Sequence, residues 1–186
     1  MKIYERLSDK KGIADAIGNI GIVYHLQDNR VKALKCYQRK VEICREIGDK
    51  KELSMVLGNI GIIHLDNSEF DKALDQFNFY LQISRDLNDA ACICQALINI
   101  GNTKKKLHLL AESETIYTEA WNLINAHALQ YLLPELCFET AELKYFQNKK
   151  IEAAEWNSRC VKISEQIGNS EYKQKAVRLA GQLSKL

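Results

Sequence analysis

Three asparagines recur 40 residues apart, at Asn19, Asn59 and Asn99, each inside the tripeptide Asn-Ile-Gly. An asparagine side chain carries two N–H donors and one carbonyl acceptor. It can therefore pair with both the N–H and the C=O of an extended peptide, whatever the sequence of that peptide. The same amide can instead bond to a neighbouring helix end or loop. The spacing predicts a row of peptide-binding amides or a row of structural ones, and the two uses can coexist.

The remaining polar residues form no catalytic or metal-binding pattern. The histidines occupy different positions of the 40-residue period and include no His-x-x-x-His pair, which argues against a zinc site; they are His25, His64, His108 and His127. No Gly-x-x-Gly segment follows a strand pattern, so a phosphate-binding loop is not expected. No serine has a histidine base nearby in register. We predict no enzymatic activity, no metal and no cofactor.

The six cysteines indicate a reducing compartment. No Cys-x-x-Cys pair is present, and Cys92 and Cys94 are two apart, which on a helix points them in different directions. An even count would permit disulfides in a secreted protein. Here the cysteines lie among apolar helical residues, and the start of the chain does not resemble a signal peptide. We predict reduced, mostly buried thiols and a cytoplasmic location.

Composition limits the partners. The net charge of +2 arises from 26 basic and 24 acidic residues, and this near-balance argues against nucleic acid as a partner. The sequence contains no run of about 18 apolar residues, so no membrane span is expected. We therefore predict a protein or peptide partner.

The 40-residue period predicts the secondary structure that positions these residues. Apolar residues spaced by 3 and 4 give one apolar stripe per helix and two helices per repeat, at about 12–26 and 31–47 in the first repeat. No apolar and polar alternation is sustained, so the fold class is all-α. Small residues recur where the first helix should meet the second, and isoleucines should fill the seam between them. The small residues are Gly21, Gly61, Gly101 and Ala141.

This pattern resembles the tetratricopeptide repeat; in the first repeat its residues are Ile17, Ile20, Gly21, Tyr24, Ala33 and Tyr37. That family usually has a period of about 34 residues. The 40-residue form resembles the subtype of spindle-orientation adaptors and many bacterial signalling proteins. The resemblance implies a right-handed α-solenoid, a superhelix of antiparallel helix pairs whose first helices line a concave groove. The fourth repeat departs from the pattern, with Glu139-Thr140-Ala141 for Asn-Ile-Gly and Asn157 for the aromatic residue.

The resemblance also implies that the asparagine column holds the backbone of a bound peptide. The predicted groove residues are Asn19, Asn59, Asn99, Asn102, Ile22, Leu26, Met55, Ile62, Lys105, Lys106, Glu139 and Glu142. Their charges have two interpretations. A ligand with apolar anchors followed by alternating charges would use them directly. Alternatively, the lysines are solvated or pair with the glutamates across adjacent helices, at less than about 1 kcal/mol for each exposed pair.

The register predicts a single array over residues 1–186. It contains a partial second helix at 1–10, repeats at 11–50, 51–90, 91–130 and 131–170, and a terminal helix at 171–186. The half-repeats favour a piece of a longer array, or else they serve as caps of a short protein. The predicted function is a scaffold or adaptor that binds a peptide segment of a partner. The alternatives are a sensory or regulatory domain of a larger signalling enzyme or transcription regulator, and self-association through the terminal helices.

Overall fold

The computed structural model describes residues 9–183, which form nine α-helices and one 3-10 turn. The fold is all-α, as predicted. The chain divides between Cys92 and Ile93 into two compact units, called unit 1 and unit 2 in chain order. The helices are α1 (Lys10–Leu26), α2 (Arg30–Ile47), α3 (Lys50–Asp66), α4 (Phe70–Asp86), α5 (Ala90–Lys106), α6 (Leu110–Ala126), α7 (Leu133–Phe146), α8 (Lys150–Ile167) and α9 (Ser170–Leu183).

Unit 1 is held together by helix pairs that approach closely at glycine. α1 packs on α2, and α3 packs on α4. A Cβ atom added at Gly61 would lie 2.5 Å from Cε1 of Phe77, and one at Gly21 would lie 2.6 Å from Cε1 of Tyr37. Both rings are fully buried. The glycines therefore leave space for aromatic rings of the partner helix, which agrees with the prediction that small residues recur where the two helices meet.

Unit 2 contains two versions of this contact. Gly101 faces Tyr117, where an added Cβ would overlap the ring. In the next repeat the glycine is replaced by Ala141 and the ring by Asn157, and both are buried. The Asn157 amide donates to the carbonyl of Ala176 in α9 at 2.9 Å. Ala141 is larger than the glycine that it replaces, and Asn157 on the facing helix is smaller than the aromatic ring that it replaces.

Every connection between consecutive helices contains a residue with positive φ. Gly48 and Gly168 adopt this left-handed conformation, and so do His108 and Ala128. Glycine and asparagine are the usual residues there, and for this reason the sequence leaves the helix boundaries of the third repeat uncertain. The structure shows turns of the same kind at those boundaries.

Pro134 lies in the first turn of α7, and a 3-10 turn over Gln130–Leu132 precedes the helix. Proline has no N–H to donate to the carbonyl four residues earlier. The α-helical hydrogen-bond ladder therefore begins later than in the other repeats. Among residues 9–183, no helix combines the length and the apolarity required to cross a membrane.

One isoleucine that was predicted to be buried between the two helices of its repeat is exposed. Ile60, Ile100 and Thr140 are buried between helices, whereas Ile20 is 50% exposed. α1 is the first described helix, and its outer face has no neighbour among the described residues. The predicted partial helix at 1–10 falls almost entirely on residues 1–8, outside the described part of the chain, as do the last three residues of the predicted terminal helix.

Candidate functional site

A cleft in unit 1 contains four of the predicted groove residues. Its volume is about 380 Å³. α1 and α3, the first helices of their repeats, provide most of its surface. The cleft is lined by Asp15, Gly18, Asn19, Ile22, Lys40, Glu52, Met55, Val56 and Asn59.

Asn19 and Asn59 are the amide groups of this cleft. Asn19 is exposed and Asn59 is half-buried. Within residues 9–183, neither side-chain amide has a hydrogen-bond partner. Both amides therefore have free donors and acceptors in the same cleft, which is the arrangement that pairing with a peptide backbone requires.

A lysine from the second helix also reaches the cleft. The Nζ of Lys40 lies 2.6 Å from Glu52 and 3.8 Å from Asp15, and its side chain is only 12% exposed. Its stem passes Gly18, where an added Cβ would lie 2.8 Å from Cδ of Lys40. Sequence reasoning missed this residue because it considered only the first helices. The sequence does contain a signal for Lys40: a glycine, Gly18, lies on the preceding helix 22 residues earlier and leaves space for a long side chain.

The apolar groove residues divide into two groups. Ile22 and Met55 line the cleft beside the asparagines, and each is partly exposed. Leu26 is 84% exposed, and Ile62 is half-buried outside the set that lines the cleft. The apolar contact surface next to the two amides is thus formed by Ile22 and Met55.

The third asparagine has a different environment. Asn99 lies in α5 within unit 2 and is buried. One turn later, Asn102 accepts a hydrogen bond from the Tyr117 hydroxyl. The carbonyl oxygen of the Asn102 amide is therefore already used inside the protein.

The predicted charged residues of unit 2 form a buried cluster. Lys105 donates to Glu139 at 2.5 Å and to Glu142 at 2.7 Å, and its side chain is 4% exposed. Burial opposes the charged form of Lys105, but the two carboxylates outweigh it and raise its pKa. Lys106 is exposed. These contacts match the pairing of lysines with glutamates across adjacent helices, although the pairs are buried rather than exposed.

The cysteines form no disulfide among the described residues. All six are free thiols, and Cys44, Cys94, Cys137 and Cys160 are buried. Burial raises the pKa of Cys94 to about 11 and that of Cys137 to about 12. Burial thus disfavours the thiolate, which is the nucleophilic form of cysteine.

The fold and the glycine–aromatic pairs define a helical-repeat protein, and the comparison with known families agrees. Residues 12–86 match the family model of the tetratricopeptide repeat. The resemblance to this family is thereby confirmed over that segment, whereas the 40-residue subtype stays a prediction. No match was found among curated protein sequences.

Several solved structures share the fold. Aspartyl phosphate phosphatase F from Bacillus subtilis is 16% identical with a TM-score of 0.82, over 90% of this chain and 44% of that chain. A Rap protein complexed with Competence and Sporulation Factor is 20% identical with a TM-score of 0.82, over 90% and 47%. The Rap conjugation gene regulator of the plasmid pLS20, in complex with the Phr* peptide, is 19% identical with a TM-score of 0.80, over 95% and 48%.

These similarities concern the fold alone, because the identities are low. The chain spans about half the length of these three solved structures.

Proposed function

We propose that this protein is an interaction module that binds an extended peptide segment of a partner in the unit 1 cleft. The observation that carries the proposal is the pair of unbonded amides, Asn19 and Asn59, in one cleft beside Ile22 and Met55. The amides pair with the peptide main chain, and the two apolar residues contact one of its side chains. Two of the similar solved structures contain a bound peptide or factor, which supports this class of function.

The charges of the cleft favour a basic residue in that peptide. Asp15 and Glu52 contribute two negative charges and Lys40 contributes one positive charge. Lys40 is committed to Glu52, whereas the carboxylate of Asp15 is 48% exposed and 3.8 Å from the ammonium group. Asp15 is therefore the carboxylate available to a lysine or arginine of the ligand.

The remaining predicted groove residues have a smaller role in this proposal. Lys105, Glu139 and Glu142 are paired with one another in unit 2, where they leave one net negative charge. Asn99 is buried and Asn102 is bonded to Tyr117. The proposal accordingly places main-chain recognition on Asn19 and Asn59 rather than on all three asparagines of the column.

The test begins with peptides selected from a random displayed library on the wild-type chain. Their affinities are then measured for Asn19→Ala/Asn59→Ala and, as a matched control, for Asn99→Ala. Two neutral hydrogen bonds, each worth about 1 kcal/mol, predict a loss of roughly tenfold or more for the double variant. Asn99→Ala should change affinity much less. Methylation of the peptide nitrogens that face the amides should weaken binding to a similar degree.

Equal affinity of wild type and double variant, with circular dichroism showing both folded, would overturn the proposal. So would a methylated peptide that binds as tightly as its parent, because the ligand main chain would then not be recognised.

A second candidate is a sensory or regulatory domain, with a bound peptide changing the activity of a larger protein. It is supported by the length comparison, since three similar structures are about twice as long and one is named a conjugation gene regulator. A selected peptide that changes the activity of a longer protein containing this chain would favour regulation over simple scaffolding.

A further inference from the structure

A second cavity, open to solvent at the exposed residues Thr118 and Arg159, lies in unit 2 between α6, α7 and α8. Its volume is about 250 Å³, and both tryptophans of the chain border it. The cavity is lined by Glu114, Tyr117, Thr118, Trp121, Thr140, Leu143, Lys144, Trp156 and Arg159. None of these residues lines the unit 1 cleft.

The repeat pattern offers an internal comparison for this cavity. Eighty residues earlier, the positions of Glu114 and Thr140 are occupied by Leu34 and Ile60. Those side chains belong to one apolar cluster in unit 1. In unit 2 a carboxylate and a hydroxyl stand in their place, beside open space rather than a filled core. Two polar side chains, at positions that form part of an apolar cluster in unit 1, therefore border a recess that a ligand can enter from solvent.

One lysine beside the cavity is shared by two carboxylates, so these three groups carry one net negative charge. The Nζ of Lys144 lies 2.7 Å from Glu114 and 2.7 Å from Glu152, and its side chain is 8% exposed. Gln147 donates a further hydrogen bond to Glu114 at 2.8 Å. Lys144 and Glu114 therefore form part of the protein's own hydrogen-bond network.

Arg159 is the charge without a counter-ion. Its guanidinium stacks on the Trp156 ring, 4.7 Å from the ring centre, and no carboxylate of the described residues pairs with it. Trp121 packs edge-to-face on Trp156 with the ring centres 5.1 Å apart. A stacked guanidinium keeps its N–H edge free for a carboxylate, which it can bind through two parallel hydrogen bonds.

We propose that this cavity binds a single aromatic ring that carries a carboxylate, with the ring against Trp121 and Trp156 and the carboxylate on Arg159. The size agrees, since an apolar cavity of about 150 Å³ is known to hold benzene. A volume of about 250 Å³ leaves room for a short side arm. Two sources share this chemistry: a free aromatic acid, and the carboxyl-terminal aromatic residue of a peptide.

The probes are 3-phenylpropanoate and its neutral amide, titrated into the full chain. Because both tryptophans border the cavity, tryptophan emission and the two indole N–H resonances report on this site alone. We expect saturable changes in both resonances, with the acid binding about tenfold or more tightly than the amide. Arg159→Gln should lower the affinity for the acid to the affinity measured for the amide. Arg39→Gln, the same substitution at the matching helix position of the first repeat, should have no effect.

A second pair of variants fills the space. Thr140→Ile restores the residue type found 80 positions earlier and should abolish binding of both probes. Thr118→Leu fills the cavity from α6 and replaces Thr140→Ile in the test if that variant does not fold.

The two sources of the ligand, a free acid or a peptide end, are distinguished with acetyl-Gly-Gly-Phe and its carboxyl amide. Binding of the acid form of this peptide assigns the site to peptide ends, and binding of phenylpropanoate alone assigns it to free acids.

The proposal is overturned if the acid and the amide bind equally, if neither perturbs the tryptophans, or if binding survives in a folded cavity-filling variant.

Discussion

In unit 1, Gly61 receives the ring of Phe77, whereas 80 residues later in unit 2 the same two positions are Ala141 and Asn157. All four residues are buried. Unit 1 gains the burial of an aromatic ring, and unit 2 gains a hydrogen bond from Asn157 to the last helix. The repeat register is therefore compatible with two different stabilising chemistries, provided that both facing residues change together.

The same contrast extends to the charged residues. The apolar cluster around Ile60 and Ile63 fills the interior of unit 1. Unit 1 has one largely buried lysine, Lys40, whereas unit 2 buries the ammonium groups of both Lys105 and Lys144, each between two carboxylates. A buried charge requires its partners, whereas an apolar side chain requires only a matching shape. Unit 2 should therefore be more sensitive to loss of a single charge, and unit 1 to loss of volume.

The largest effect is expected from Phe77→Ala. Removing a fully buried ring should lower the free energy of unfolding by about 3–5 kcal/mol. The matching change in unit 2, Asn157→Ala, should cost only about 1 kcal/mol, because it removes one hydrogen bond and also an unpaired buried carbonyl oxygen. Denaturant unfolding, followed by circular dichroism, measures both. Equal losses would contradict the contrast between the units.

Removal of a buried charge comes next. Lys105→Met leaves Glu139 and Glu142 without their shared cation, and we expect a loss of about 3 kcal/mol at pH 7. Lys104→Met is the control, since the Glu112 carboxylate to which Lys104 is paired is largely exposed, and it should cost less than about 1 kcal/mol. If the two lysine variants unfold at the same denaturant concentration, the buried cluster contributes no special stability.

Gly61→Ala tests the close approach of the helices. Helix propensity alone would stabilise the variant by about 1 kcal/mol. The new methyl group would overlap the Phe77 ring, at a cost of about 1–3 kcal/mol. We expect a net decrease in the free energy of unfolding. Ala141→Gly in unit 2 should lower the free energy of unfolding by about 1 kcal/mol, because glycine has the lower helix propensity. A stabilised Gly61→Ala protein would show that the helices can separate without cost.

The smallest effect concerns the helix caps. Asp89 accepts the backbone N–H of Cys92 at 3.1 Å, and this hydrogen bond lowers the pKa of Asp89. Its stabilisation is present above the unfolded pKa of about 3.9 and is lost as the pH falls through the lower folded value. The matching cap in unit 2, Asn169, is neutral.

Asp89→Asn should retain the cap hydrogen bond while removing about 1 kcal/mol or less of acid-dependent stability. Unfolding measured at pH 7 and pH 3 compares the two proteins. An unchanged pH dependence in the variant would show that Asp89 does not contribute to it.

Local patterns allowed most of the fold to be predicted. Spacing of apolar residues identifies the helices, and Gly21 with Gly61 marks where helices touch, because a close backbone approach excludes larger side chains. Boundaries at His108 and Ala128 were not predictable, since a left-handed turn there lacks its usual glycine or asparagine. Backbone hydrogen bonds close these turns, from the N–H of Leu109 to the carbonyl of Lys104 and from the N–H of Leu129 to the carbonyl of Ile124.

The candidate site was predictable only in part. The sequence alone identifies the asparagine column, because a 40-residue period repeats the helical face on which the three residues lie. Only the tertiary structure shows that Asn19 and Asn59 share a cleft with Lys40, and that Lys105 is buried between two glutamates. Periodicity determines which face of a helix a residue occupies. Burial and pairing depend on side chains from other helices, and those contacts form only when the helices pack.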